Sequence, residues 1–350
     1  PSWQKISAST YDALGRPLSV TDAAGNTTTT TVYTPTGAGP VTTTAVTDAK
    51  GFTKTTRFDI AWNQPIKVVD LNNKITEMTY DRLGRLTQVW LPTASRAIGR
   101  LPNYVYGYGL SVTKPSWISV AKVQANGKTY NTSYTLFDAH QRSRQTQEPS
   151  PIGGRLIAET FYDDRGLTKT AYADVYDDGS DPNSTLMATV NAQAPSETRT
   201  VYDGAQRPTT STFLVNGVTR WSTTTSYTGD SVASTAVTGG SATREISNAL
   251  GQVVERRQYS GTSPTGATYL KTTFTYTPRG DQKAVTGPDG ANWTYGYDLF
   301  GRPFKAGDPD KGTTTTSYTA LDQTDTTTDA AGNVLLYSYD ELGRKTGQWK

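Results

Sequence analysis

Asp174, Asp177, Asp178 and Asp181 crowd around Gly179 in a short acidic stretch. Oxygen-rich clusters of this kind suit Ca²⁺, which takes about 6–8 oxygen ligands, and these four aspartates are the one candidate metal site in the sequence. The spacing departs from the D-x-D-x-D-G loop with its distant glutamate, so a solvated acidic loop is the competing reading. His140 is the only histidine and there is no cysteine. That leaves one possible Ser-His-Asp arrangement and removes disulfides, thiolate zinc sites and thiol nucleophiles. Aspartates recur along the whole chain and any two could be offered as a glycosidase pair. They recur in the same local setting, however, which suits a repeated structural duty better than a catalytic pair needed once. Trp90, Trp117, Trp221 and Trp293 could stack on sugar rings, or pack as sheet residues. No catalytic residue and no cofactor is expected.

The elements that would position these residues are strands. Hydrophobic residues make up 34% of the chain, whereas threonine alone supplies 62 of 350 positions, alongside 21 tyrosines. β-branched and aromatic residues favour a pleated, half-buried surface, and no helical periodicity of useful length appears. No apolar run is long enough to span a membrane as a helix. Residues 1–30 show no basic region followed by an apolar stretch. A net charge of +3 is too small to predict nucleic-acid binding.

One unit is written many times. Tyr276, Tyr297, Tyr318 and Tyr339 stand 21 residues apart. The segments YDALGR (from Tyr11), YDRLGR (Tyr80), YDLFGR (Tyr297) and YDELGR (Tyr339) repeat Tyr-Asp, two residues, Gly-Arg. YDGAQR begins at Tyr202, and weaker copies begin at Phe58, Phe137, Tyr162 and Ser247. Between tyrosines lies a second landmark, as in Asp22-Ala23-Ala24-Gly25-Asn26 and Asp329-Ala330-Ala331-Gly332-Asn333. The repeated residues are Tyr11, Asp12, Gly15 and Arg16; Tyr80, Asp81, Gly84 and Arg85; Tyr297, Asp298, Gly301 and Arg302; and Tyr339, Asp340, Gly343 and Arg344. Asp and Gly punctuate both ends of each strand-like run, so each unit reads as two antiparallel strands joined by two turns. Successive tyrosines would fall in register as a stacked ladder. Leu14, Leu83, Phe300, Leu321 and Leu342 read as the apolar anchor of each turn. The arginine would bond the neighbouring unit or sit in solvent. His140 occupies the leucine position of its copy.

About 14 units at two strands each predict roughly 28 strands, a sheet on the order of 135 Å long at the strand spacing. The fold expected is all-β: repetitive antiparallel hairpin units in a long, twisted, coiling sheet, a single domain over 1–350. Bent into one turn the strip would be roughly 40 Å across, a band rather than a container. Its two end strands would offer unpaired edges to neighbours. Residues 91–136 and 174–197 interrupt the period as insertions. Asn126-Gly127 and Asn216-Gly217 read as type I′ hairpins, and 186–194 as a short helix or strand.

The YDxxGR segments with an interposed D-x-x-G-N resemble the Rhs, or tyrosine-aspartate (YD), repeat. That family includes bacterial polymorphic toxins, cocoon-forming components of insecticidal toxin complexes, and teneurins. The resemblance implies a non-enzymatic wall segment of a secreted or surface bacterial protein, a fragment of a larger shell. The implied partners are the remaining repeats and an enclosed C-terminal cargo or toxin domain. The alternative is an extracellular module for adhesion, binding carbohydrate or protein. No nucleic-acid partner is expected.

Overall fold

A computed structural model describes residues 5–94, 96–189 and 194–350, with the side chain of Asp174 also outside the description. It contains 28 strands, from β1 (Ala8–Tyr11) to β28 (Lys345–Trp349), the number expected from the repeat. Each strand pairs antiparallel with the strands before and after it in sequence, as β1 does with β2 (Pro17–Thr21) and β2 with β3 (Thr27–Thr34). The ladder runs unbroken through β27 (Val334–Tyr339) into β28. Every pairing is local, so each unit contacts mainly its neighbours. A 3-10 turn at Arg96–Ile98 is the one helical element among the described residues.

The insertion at 91–136 is more regular than its sequence. It supplies β9 (Tyr104–Gly109), β10 (Ser116–Val123) and β11 (Tyr130–Phe137), all in the common ladder. The Asn216-Gly217 turn is the expected two-residue form, with φ of 50° and 77° and Val215 paired to Val218. Asn126-Gly127 is not. Only Gly127 has positive φ, and the Asn126 side chain instead accepts the N–H groups of Lys128 and Thr129. A type I′ turn needs both central residues at positive φ. Here the asparagine's own acceptor closes a wider turn.

Most of the strip is one layer thick, and most of its side chains are half-buried. The exception lies where the insertion at 174–197 crosses β12 (Ser143–Pro149), β13 (Arg155–Tyr162), β14 (Thr168–Asp177) and β15 (Ser196–Tyr202). Ile157, Val175 and Ala194 form a buried cluster, with Tyr172 and Met187 against it. Gln145 and Gln147 are fully buried yet satisfied. The Gln145 amide donates to the Met187 carbonyl and its oxygen accepts the Met187 N–H. The Gln147 amide donates to the Thr185 carbonyl and its oxygen accepts the Asn183 N–H. Two side-chain amides thus act as a strand for the crossing segment, supplying the partners a buried backbone requires. Residues 186–189 are irregular, and the rest of the expected short element lies outside the described residues.

The strip coils back on itself. Lys50, in the turn between β4 (Thr43–Asp48) and β5 (Thr53–Phe58), lies 3.6 Å from Asp340 and 3.7 Å from Glu341, in the turn between β27 and β28. Asp22 and Ala23, in the β2–β3 turn, line one groove with Tyr318 to Asp322, in the turn between β25 (Gly312–Tyr318) and β26 (Thr324–Thr328). Lys5 and Ile6, ahead of β1, line the same groove with Phe300 and Arg302, in the turn between β23 (Asn292–Tyr297) and β24 (Pro303–Asp308). All three contacts join elements 23 strands apart in the strand order. A circuit of that many strands is roughly 35 Å across at the strand spacing. The chain therefore makes a little more than one circuit, and its last strands lie along its first.

Candidate functional site

The recurring chemistry of this chain is the turn, and each turn is built around one aspartate. Asp12 Oδ1 accepts the backbone N–H groups of Leu14 and Arg16, both at 2.9 Å, and Oδ2 accepts Arg16 Nε at 2.6 Å. The Gly15 N–H closes back onto the Asp12 carbonyl, and Gly15 sits at φ 75°, where a side chain is strained. The register slips by one residue between Thr10 and Tyr11. This is a type I turn followed by a glycine bulge. The same contacts recur at Asp81 with Arg85, Asp298 with Arg302 and Asp340 with Arg344. They recur in the weaker copies too, at Asp138 with Arg142 and Asp203 with Arg207.

Asp81 shows the electrostatic effect. The Arg85 N–H bond holds its carboxyl below the usual range, against an opposing push from desolvation. At Asp340 the Arg344 side chain and backbone bring the pKa down to about 2. The D-x-x-G-N turns use the same device with asparagine in the fifth place: Asn333 donates backbone and side-chain N–H groups to the two oxygens of Asp329. The two kinds of turn therefore share a geometry and differ in whether arginine or asparagine closes onto the aspartate.

Some copies lack the glycine. Gln141, Gln206 and Asp322 occupy its place at φ 61°, 64° and 67°. A non-glycine residue there costs about 1–2 kcal/mol. Gln206→Gly is therefore expected to raise stability by about 1 kcal/mol, read as a higher urea midpoint at constant slope. An unchanged midpoint would mean that the glutamine side chain earns back its strain.

The tyrosines do not stack on one another. They close alternate strands, so successive rings are roughly 10 Å apart at the strand spacing, too far for ring contact. Five of them instead pack under the arginine that closes the turn before. Arg16 lies over Tyr33 at 4.6 Å, Arg85 over Tyr108 at 4.5 Å, Arg142 over Tyr162 at 4.2 Å, Arg207 over Tyr227 at 4.2 Å and Arg302 over Tyr318 at 4.5 Å. The phenol then donates to the carbonyl that opens the strand leaving that turn: Tyr33 to Pro17, Tyr108 to Leu86, Tyr162 to Ser143, Tyr227 to Pro208 and Tyr318 to Pro303. A cation–π contact and a phenol bond of this kind together contribute on the order of 1–2 kcal/mol per unit. Tyr108, inside the 91–136 insertion, was not visible as a repeat tyrosine because no Tyr-Asp pair follows it.

The apolar residues three places after the tyrosine are not anchors of their own turn. They project from the rim: Leu14 is 53% exposed and Leu83 63%. Leu321 and Leu342, in turns against the first circuit, are at 38% and 36%, whereas Phe300, in the same seam, is at 57%. Lys50 and Asp340 add little, because an exposed ion pair is worth about 0–1 kcal/mol.

His140 sits exposed at a turn tip, and its backbone N–H donates to Asp138. Asp177 is taken up by Arg155 Nε at 2.7 Å and by the Gly179 N–H. Asp178 and Asp181 are exposed, and no group of three or more ligand side chains gathers among the described residues. The acidic stretch thus gives one member to an ion pair and leaves two in solvent. Trp90 is buried, donating to the Arg100 carbonyl. Trp117 packs on Tyr134, Trp221 stacks on Phe213, and Trp293 donates to Asp308.

The carboxylates that do come together are Glu159 and Glu197, which pair across β13–β14–β15 with Tyr172 between them. Arg144 binds the first and Arg199 the second, and both are buried. Desolvation pushes Glu159 up, outweighing Arg144. No motif marked them; only strand register shows that they share the covered face.

Residues 276–313, one YDLFGR turn with its flanking hairpins, match the family model RHS Repeat. The chain carries the Rhs/YD repeat. The whole fold is found within larger solved chains. The crystal structure of TcdB2-TccC3 superimposes with a TM-score of 0.77 at 16% identity, over 98% of this chain and 20% of that one. TcdB2-TccC3 without its hypervariable C-terminal region gives 0.74 at 15%, over 98% and 22%. The Tc holotoxin pore of Photorhabdus luminescens gives 0.75 at 15%, over 98% and 22%. The Rhs/YD strip described here thus spans about a fifth of those chains. No curated protein sequence matches it.

Proposed function

We propose that residues 1–350 are one structural unit, a length of wall in the hollow shell of a secreted or surface bacterial Rhs/YD-repeat protein. The wall encloses a cargo or toxin domain and performs no chemistry. The observation that carries this reading is the return of the strip onto itself after 23 strands. A sheet that closes this way surrounds a space, and its stacked passes make a tube. Side chains on the inner face leave a lumen of roughly 25 Å, allowing for half a sheet-packing distance on each side. A folded 100-residue domain has a radius of gyration of about 13 Å, so the lumen suits an extended or partly folded chain. The likeness to Tc toxin assemblies supports the wall role. No helix among the described residues is long and apolar enough to cross a membrane.

Limited proteolysis of the parent protein tests the reading. The segment following the repeats is expected to resist cleavage while the wall is intact and to become sensitive when the wall is unfolded. Cleavage at the free-chain rate with the wall intact would place the cargo outside.

A further inference from the structure

We propose that Arg244, Arg257 and Lys271 form a binding site for a doubly charged oxyanion, the phosphate or sulfate group of a ligand.

Strand register lines the three cations up. They stand directly opposite one another on β19 (Thr243–Ser247), β20 (Val253–Tyr259) and β21 (Tyr269–Tyr276). Residues paired this way share one face of the sheet, about 5 Å apart from strand to strand. Like charges so placed repel. Arg57 and Lys67 also face each other, but there Glu77 stands opposite Lys67 on the next strand. The row at Arg257 has no acid in it.

The acids nearby are already committed. From Ser231 to Tyr276 the acidic residues are Glu245 and Glu255, against Arg244, Arg256, Arg257 and Lys271. Glu245 pairs with Arg256 on the opposite face, and Glu255 pairs with Arg257. Arg244 and Lys271, on either side of Arg257, are left without an acidic partner among the described residues.

Arg244 is also short of acceptors. It is half-buried, and its Nη2 donates to the Pro264 carbonyl at 3.3 Å. Its Nε is buried with no partner, a donor that costs stability until an acceptor meets it. The loop above it, residues 260–268, consists of small residues and proline, most of them exposed. Two backbone bonds tie it down, from the Ala236 N–H to Thr262 and from the Ala242 N–H to Gly261. A loop that buries so little opens at small cost, which gives an oxyanion access to the Arg244 fork. A phosphate or sulfate group suits the site. A guanidinium donates two parallel bonds to its oxygens, a lysine adds a point charge, and its two negative charges match the two unpaired cations.

Isothermal titration calorimetry on the intact chain tests this, with sodium sulfate, phosphate and acetate at an ionic strength fixed by chloride. Sulfate and phosphate are expected to bind saturably and acetate not to bind. Lys271→Gln, at an exposed position, is expected to weaken binding by roughly ten-fold, and Arg244→Gln by more. Stability gives a second readout that changes sign. In chloride, Lys271→Gln is expected to hold or raise the urea midpoint, because a repulsion is removed. In saturating sulfate its midpoint is expected to fall below that of the parent, because a ligand bound to the folded state stabilises it by occupancy. General salting-out by sulfate raises both proteins alike and does not produce that crossing. Heparin tetrasaccharide distinguishes the source of the group. Binding tighter than sulfate assigns it to a sulfated glycan, and binding no tighter assigns it to the free ion; either upholds the site. Absence of saturable sulfate and phosphate binding overturns the proposal, and so does binding that both substitutions leave unchanged. Acetate binding as well as sulfate also overturns it, and points instead to the carboxylates of an acidic peptide. The wall role needs no such ligand, so the two stand or fall separately.

Discussion

Replacing Arg155 by alanine is expected to cost about 3–5 kcal/mol, the scale for breaking a buried ion pair from one side. Arg155 is buried, and its Nε donates to Asp177 while its Nη1 donates to the Gln147 oxygen at 2.8 Å. Gln147 in turn bonds Gln145, Asn183 and Thr185. The guanidinium is thus the root of the network that ties the crossing segment to the sheet. Without it the Asp177 carboxylate loses its counter-charge, and the Gln147 oxygen keeps only the Asn183 N–H. Lysine in its place restores a charge but not the fork that reaches two partners, so Arg155→Lys is expected to recover part of the loss. Hydrogen exchange is the direct measurement: the amides of Asn183 and Met187 are expected to lose protection before those of the C-terminal repeats. Loss of protection spread evenly along the chain would show that the network does not act locally.

Acid is expected to unravel the strip between about pH 4 and pH 2. Asp81, Asp163 and Asp203 are held below their ordinary values, first by the backbone N–H bonds of their turns. At Asp12, Asp138 and Asp298 desolvation pushes upward and the turn's hydrogen bonds outweigh it. A carboxyl whose folded pKa is depressed contributes stability that is complete above its unfolded value, 3.8 for aspartate, and is lost as pH falls through the folded value, about 2 at Asp340. Many turns titrate together, so the decline is steep although each carboxylate is only half-buried. Glu159 has the opposite sign: its raised pKa favours the protonated folded form and its contribution falls as pH rises above its ordinary 4.5. The urea midpoint measured from pH 7 to pH 2 is expected to hold and then drop through this window. A flat midpoint down to pH 2 would mean that the aspartates hold their turns equally well when protonated.

The period was legible because Asp, Gly and Arg must occupy fixed places for one turn to close. That sufficed to predict the strand count, the antiparallel order and the turn duty of the aspartates. Partnerships that depend on distance were not legible. Asp340 shows nothing in its own unit that points to Lys50. The tyrosine ladder failed on a spacing that follows from alternate strands, and Gln145 and Gln147 gave no hint that they would act as backbone. The closure after 23 strands is a sum of small twists with no local mark.

That 23 is odd has a mechanical corollary. Only an odd offset sets one kind of rim on the other, so the wall can be rebored only by inserting or removing two strands at once. Each such step changes the circumference by roughly 10 Å and the diameter by about 3 Å. The calibre of such a wall is quantised in whole repeats, and gaining a repeat in one circuit widens the barrel without changing how its courses fit together.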